Sequence, residues 1–291
     1  MKKNHFKIGD NINISAHQKI YEALILGIKN FFAKLNFKKA IIGLSGGIDS
    51  ALVAVLACDA LGKENVKVVY LPTEFSSEES FKDVKKIAEN LNINLDIINI
   101  DSVFKNILAL TKPYFQNKPF DTTEENIQSR IRGLVLMAFS NKFGYILLNT
   151  SNKSELVTGY GTLYGDMCGA LSVIGDLYKT QVYSLSEFIN KEKEIIPRNI
   201  ITKEPTAELK FGQKDSDSLP KYEILDNILL HYLEYNNSDK EISEKLNYDI
   251  SLVSKVISMI NKNEFKRFQA PPVLRISYNF SILAGKLLLI G

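Results

Sequence analysis

Lys39-Ala40-Ile41-Ile42-Gly43-Leu44-Ser45-Gly46-Gly47-Ile48-Asp49-Ser50, followed by Ala51-Leu52-Val53-Ala54-Val55-Leu56, decides the fold. Residues 39–44 form a short apolar run of the kind that makes a strand buried on both faces. Residues 45–50 are a glycine-rich turn. Residues 51–61 continue as an apolar helix that stops at Gly62. Consecutive glycines let the backbone turn tightly and present bare N–H groups to an anion. The helix behind them adds the positive end of its dipole, so a phosphate is stabilised there by several oriented groups. Ser45 and Ser50 add hydroxyl donors. Asp49 is the odd member, because a carboxylate beside a phosphate is repulsive unless a cation lies between them, and it therefore predicts Mg²⁺. No G-x-x-x-x-G-K-[ST] string occurs, so this is not a Walker A loop and transfer of a terminal phosphoryl group is not favoured.

Working outward, residues 16–35 repeat apolar side chains at a helical period, with Ile25 and Leu26 off the main face as a second surface open to burial. Further strands are expected at residues 66–71, 95–100 and 145–149, with helices at 78–91 and 121–143. Strands alternating with helices imply a doubly wound parallel sheet of the α/β class, with the loops that bind ligand at the carboxyl edge of the strands. Residues 158–170 are too rich in glycine and tyrosine for a helix. Residues 203–220 (KEPTAELKFGQKDSDSLP) are polar, carry two prolines and read as a long mobile loop. Residues 221–235, 239–246 and 251–262 read as a C-terminal helical cluster. The whole of 1–291 is taken as one domain: a core over 15–200, the loop over 203–220, and the helical part with a tail over 221–291.

The balance of the 291 residues excludes several classes. A net charge of +3 with 24% charged residues gives no electrostatic footprint for nucleic acid or a membrane surface. Cys58 and Cys168 stand apart with no metal-ligand spacing, which points to a reducing, cytoplasmic setting without a zinc site or disulfide framework. No apolar run reaches transmembrane length and no signal-peptide core is present near Met1. His5, His17 and His231 are isolated.

The SGGIDS string resembles the signature of the N-type ATP pyrophosphatases, which have a Rossmann-like fold of the adenine nucleotide alpha hydrolase type. That resemblance implies cleavage between the α- and β-phosphates and transfer of AMP to a substrate oxygen. Later motifs select within the group. Asn126-Ile127-Gln128-Ser129-Arg130-Ile131-Arg132, Asn149-Thr150-Ser151-Asn152-Lys153-Ser154-Glu155, Thr158 to Asp166, Lys179-Thr180-Gln181-Val182-Tyr183 and Pro205-Thr206-Ala207-Glu208-Leu209 are similar, in this order, to the successive motifs of NAD synthetases. Residues 213–225 and 269–276 resemble the synthetase portion of the glutamine-dependent subgroup. The resemblance implies ATP-dependent amidation of deamido-NAD to NAD through an acyl-adenylate, with Mg²⁺ and with ATP as co-substrate. It implies that Gly43, Leu44, Ser45, Gly46, Gly47, Ile48, Asp49 and Ser50, with Thr150, Lys179 and Thr206, bind ATP. It assigns Asn126, Arg132, Glu155, Tyr160, Gly161, Thr162, Leu163 and Lys266 to deamido-NAD, and Asp49 and Glu155 to the metal. Asp49, Glu155 and Lys179 form the catalytic set. Asn126 and Arg130 share a helix face whereas Arg132 projects elsewhere, so the two arginines differ in part.

The glutamine-dependent subgroup carries an amidase domain ahead of these motifs. Here they begin almost at Met1, so free ammonia is the expected nitrogen source. A separately encoded amidase partner is the alternative, and a tRNA-modifying adenylating enzyme is the rival within the superfamily. Family members are mostly homodimers, which implies a homodimer here, with residues 16–35 and the helix from Asn126 as interface elements. The tail 278–291 is apolar where the family tends to be basic and aromatic.

Overall fold

The computed structural model describes residues 14–116 and 118–277; His5 and the apolar tail 278–291 lie outside the described residues. The elements in chain order are α1 (Ile14–Leu35), β1 (Ala40–Gly43), α2 (Ile48–Leu61), β2 (Val66–Tyr70), α3 (Glu78–Leu91), β3 (Leu95–Ile97), α4 (Asp101–Thr111), α5 (Thr122–Phe143) and β4 (Ile146–Asn149). They continue with α6 (Lys153–Thr158), β5 (Leu171–Ser172), α7 (Lys179–Ile189), α8 (Arg198–Thr202), α9 (Tyr222–Leu233), α10 (Asp239–Leu246), α11 (Ile250–Lys262) and α12 (Glu264–Arg267). The five strands form one parallel sheet in the order β3-β2-β1-β4-β5. The chain moves outward from β1 to β3, then returns across β1 to lay down β4. The order therefore reverses between β1 and β4, where an open α/β sheet leaves a crevice at its carboxyl edge.

Period-two alternation sorts the strand side chains into two layers. Ala40, Ile42, Val66, Val68, Tyr70, Ile146 and Leu148 join the core under α1, α2 and α7, while Ile41, Val69 and Leu147 join the core under α4 and α5. Helix α2 is buried almost all round, as its unbroken apolar sequence demands. A third cluster, built on Tyr222, Leu225, Ile228, Leu229, Val253 and Val256, holds α9, α10 and α11 together as the C-terminal helical part.

Several boundaries differ from the sequence reading. The turn after β1 is shorter, because α2 begins at Ile48 and takes Asp49 into its first turn. Residues 95–100 are not all strand: the Asn99 side chain accepts from the Asp101 N–H at 2.8 Å, and this turn starts α4. Helices α4, α6, α7, α8 and α12 and the two-residue β5 are additional elements. Residues 203–220 are tied to the body at several points: Lys203 to Asp83 at 2.8 Å, Gln128 Nε2 to the Leu209 carbonyl at 2.8 Å, and Lys210 to Glu125 at 3.0 Å.

The helical cluster is joined to the sheet by a buried charge network. Lys153 Nζ, at the start of α6, meets Asp176 at 3.2 Å and Glu234 at 2.9 Å and sits 4.5 Å from the centre of the Tyr178 ring. Asp176 also accepts from the Ile276 and Ser277 N–H groups at 2.8 and 2.7 Å. Lys153→Met leaves the buried Asp176 and the half-buried Glu234 without their cation. It should lower unfolding stability by roughly 3–5 kcal/mol in urea titrations, and a loss below ~1 kcal/mol would mean that the network carries little of the docking energy.

Candidate active site

The crevice between β1 and β4 opens into one cavity lined by Gly43, Leu44, Ser45, Gly47, Ile48, Asp49 and Ser50 on one side and by Thr150, Glu155, Lys179, Thr206 and Asp215 on the other. The glycine turn is built for close approach. Gly46 has φ +87°, and a Cβ there would lie 2.9 Å from the Ser80 carbonyl oxygen, so only glycine fits. Gly47 precedes α2 with no side chain capping the helix, which leaves its first N–H groups for a ligand. The two serines brace the turn. Ser50 Oγ accepts from the Ser45 N–H at 3.2 Å and donates to the Gly47 carbonyl at 3.0 Å, and Ser45 Oγ accepts from the Gly47 N–H at 3.2 Å.

Three charged side chains from three elements converge at the floor. Asp49 Oδ2 accepts from Lys179 Nζ at 2.5 Å, and the same ammonium lies 3.6 Å from Glu155 Oε1. Asn152 organises the two carboxylates. Its side-chain N–H donates to Asp49 at 2.9 Å, its carbonyl oxygen accepts from the Glu155 N–H at 3.0 Å, and its own N–H donates to Glu155 Oε2 at 3.2 Å. This is a capping box at the start of α6, so the local rule that begins the helix also aims Glu155. Lys179 is fixed by its backbone, whose N–H donates to Ser154 Oγ at 2.9 Å. Ser154 in turn donates to Asp226 at 2.5 Å, and Asp226 accepts from the Thr180 N–H at 2.8 Å.

The electrostatics follow from crowding two carboxylates against one cation. Burial, and then the Asp49 charge, push the Glu155 carboxyl up to about 8, and Lys179 offsets only part of this. Burial works against the Lys179 ammonium, but Asp49 and Glu155 outweigh it and hold the group above its ordinary value. A fourth titratable group enters from residues 203–220. Asp215 is buried and accepts from Tyr222 OH at 2.8 Å and Tyr160 OH at 3.1 Å, and burial raises its carboxyl. The Lys179 ammonium also lies 5.3 Å from the centre of the Tyr222 ring. Asp215, Tyr222 and Asn152 were not singled out from the sequence. The N-x-x-E spacing of Asn152 and Glu155 was the available signal, and Asp215 and Tyr222 lie in the 213–225 stretch, whose family resemblance assigned neither of them a role.

The remaining expected site residues divide. Arg132 lines this cavity, with its Nε–H donating to the Leu71 carbonyl at 2.9 Å, and Tyr160 lines it too. Arg130 is exposed and lines a second, apolar cavity between α4, α5 and residues 164–169. Asn126, Gly161, Thr162, Leu163 and Lys266 line neither cavity. They hold one another instead: Thr162 Oγ1 donates to Asn126 at 2.6 Å, Arg130 Nε–H donates to the Leu163 carbonyl at 3.2 Å, and Lys266 donates to the Gly159 and Gly161 carbonyls, each at 2.8 Å. Among the described residues no group of three or more His, Cys, Asp or Glu is arranged to hold a metal.

Glu155 gives a pH test in metal-free buffer. Its folded-state value lies above the ordinary one, so between these two pH values the folded chain keeps a proton that the unfolded chain loses. Stability contributed by protonated Glu155 is therefore lost as pH rises through this window. Glu155→Gln should gain on the native chain between pH 5 and pH 9, by on the order of 1–3 kcal/mol in urea unfolding, because Glu155 faces the cavity rather than the deep core. An equal difference at both pH values would contradict the crowded-carboxylate reading.

Known proteins resemble this chain in sequence and fold. The family model for NAD synthase matches residues 20–270. A glutamine-dependent NAD(+) synthetase of Thermotoga maritima is 49% identical over 278 residues, covering 95% of this chain and 48% of the relative. One from Synechocystis is 48% identical, covering 89% and 46%. The chain thus spans about half the length of the curated relatives that it matches. Among solved structures, the NH3-dependent NAD synthetase from Campylobacter jejuni has a TM-score of 0.70 at 31% identity, covering 89% of this chain and 99% of that one. The NMN synthetase from Francisella tularensis has a TM-score of 0.73 at 25% identity, covering 86% and 95%. With a glycine turn at the sheet's reversal point and a family model matched over most of its length, the chain belongs to the NAD synthase family.

Proposed function

We propose that this chain amidates deamido-NAD to NAD with ATP and ammonia through an adenylated intermediate. The observation that carries the reading is the floor of the cavity, where Lys179 bridges Asp49 and Glu155 beside an uncapped glycine turn. That is a site for a polyphosphate rather than for a neutral ligand. A nicotinate carboxylate oxygen attacks the α-phosphorus of ATP, the bond to the bridging oxygen breaks, and pyrophosphate leaves. The turn amides, Ser45, Ser50 and Lys179 hold the departing charge, so the chain supplies positioning and electrostatic stabilisation rather than a nucleophile. Asp49 and Glu155 suit Mg²⁺, a hard cation that takes one or two carboxylates and leaves its other positions to water and phosphate. Burial first, and then repulsion from Asp49, raise the Glu155 carboxyl, and a bound cation would relieve the second of these. When bound, the metal would neutralise phosphate charge.

Ammonia then adds to the acyl carbon, the carbon–oxygen bond to the phosphate breaks so that AMP leaves, and the added nitrogen sheds one proton to solvent as the amide forms. Ammonia reaches the site mostly as ammonium and must lose a proton to attack. Asp215, with its raised carboxyl beside the Tyr222 and Tyr160 hydroxyls, is the group we assign to take that proton. Ammonia is favoured over glutamine by the likeness to the NH3-dependent enzyme along nearly all of that protein, and by the chain's two cysteines. Burial pushes the Cys58 thiol up to about 12 and the Cys168 thiol up to about 11, so neither is a thiolate able to attack an amide at neutral pH. The glutamine-dependent relatives favour a second reading, in which an amidase feeds ammonia to this site. We also assign a homodimer, supported by exposed apolar side chains along α4 and α5, among them Leu110, Leu134 and Met137. No described helix is long and apolar enough to cross a membrane.

Purified chain given ATP, Mg²⁺ and deamido-NAD should form NAD with ammonium and none with glutamine alone. NAD from glutamine would sink the ammonia assignment, and no NAD from either would sink the acceptor. Asp49→Asn should lower turnover by at least ~100-fold while the far-ultraviolet circular dichroism stays native, because it removes the carboxylate that pairs with Lys179 and would hold Mg²⁺ beside the phosphates. Turnover within a few-fold of native would remove Asp49 from the catalytic set.

A further inference from the structure

Segment 203–220 brings a carboxylate that the reaction above does not use. Glu208 has a left-handed backbone, φ 49°, and its side chain is seated on the first turn of α3. Its oxygens accept from Ser77 Oγ at 2.6 Å, from Ser80 Oγ at 2.8 Å and from the Ser77 N–H at 3.3 Å. Ser77 caps α3 through its own Oγ, which accepts from the Ser80 N–H at 3.0 Å, so its hydroxyl proton is available to Glu208. An anion accepting several donors at the positive end of a helix is favourably placed.

The geometry links this contact to both halves of the nucleotide site. Ser80 is the wall against which the phosphate turn packs, since its carbonyl, Cα and Cβ are the atoms that exclude any side chain from Gly46. On the segment itself, the Glu208 N–H donates to Thr206 Oγ1 at 3.2 Å, and Thr206 lines the cavity. The neighbouring tip rests on the loop before α3, with the Phe211 and Phe75 ring centres 4.8 Å apart. Glu208 and Ser80 line the same cavity as Thr206, but both Glu208 oxygens are taken up by Ser77 and Ser80, and among the described residues no hydrogen bond or ion pair ties Glu208 to Asp49, Glu155 or Lys179.

We propose that Glu208 is a positioning residue: it latches segment 203–220 to α3 and so holds Thr206 and the phosphate turn in register for ATP. The inference rests on the reading of this cavity as an ATP site, but its first test does not. Trypsin is offered ligand-free native chain and the variants Glu208→Ala and Glu208→Gln, and cleavage at Lys210 and Lys214 is followed by mass spectrometry. Glu208→Ala should be cut there about tenfold faster, the scale of one lost charge-assisted hydrogen bond, and Glu208→Gln, which keeps an acceptor oxygen, should fall between. ATP affinity by calorimetry should weaken by about tenfold in Glu208→Ala, and adding Ser80→Ala should weaken it less than the two single effects combined. Native cleavage rates in Glu208→Ala, or effects of Glu208 and Ser80 that simply add, overturn the latch. Faster cleavage in Glu208→Ala together with a native chain that binds no ATP leaves the latch standing and removes the ATP reading.

Discussion

The site depends on one constraint: two carboxylates and one ammonium, brought from three elements, share a pocket too dry to tolerate either sign alone. Asp49 comes from the first turn of α2, Glu155 from α6 and Lys179 from α7. A buried Lys179 without Asp49 would be an uncompensated charge, and two carboxylates without Lys179 would repel. The triad links the first turn of α2 to α6 and α7 across the crevice between β1 and β4.

Packing farther out keeps that triad from drifting. Asp226 of α9 receives both Ser154 Oγ–H and the Thr180 N–H, so the C-terminal helices set the start of α7 and with it Lys179. Burial raises the Asp226 carboxyl to about 6, the cost of placing an anion there, and the two donors offset it. Lys153 and Asp176 perform a similar service one layer away. The helical cluster is thus part of the site's support, since a side chain aimed across a gap is only as well placed as the backbone it stands on.

Much of this was legible in the sequence because it is local. A buried strand, a glycine turn and an apolar helix are dictated by neighbouring residues, and so is the capping box that aims Glu155. What was not legible depends on distance. Asp215 and Tyr222 read as ordinary loop and helix residues until the fold sets them beside Glu155 and Lys179. Helices α6, α7 and α8 are short or enclosed and lack the long polar–apolar period that marks α3. Asn126, Thr162 and Lys266 show the converse. Their motifs stood out, yet in this structure Thr162 bonds to Asn126, Lys266 bonds to the Gly159 and Gly161 carbonyls, and none of the three lines the cavity.

The sheet order has a consequence for synthesis. β1 is the first strand made but stands at the centre, and its second edge pairs only when Ile146–Asn149 arrives. At ~5–20 residues per second, a chain leaving the ribosome spends roughly 5–20 s with Ala40–Gly43 paired on one side and bare N–H and C=O groups on the other. An apolar strand edge open for that long is a template for a neighbouring nascent chain. The central position that makes β1 a rigid base for the glycine turn is thus also where the unfinished molecule is most exposed to misassembly, and the arrival of β4 is what ends that interval.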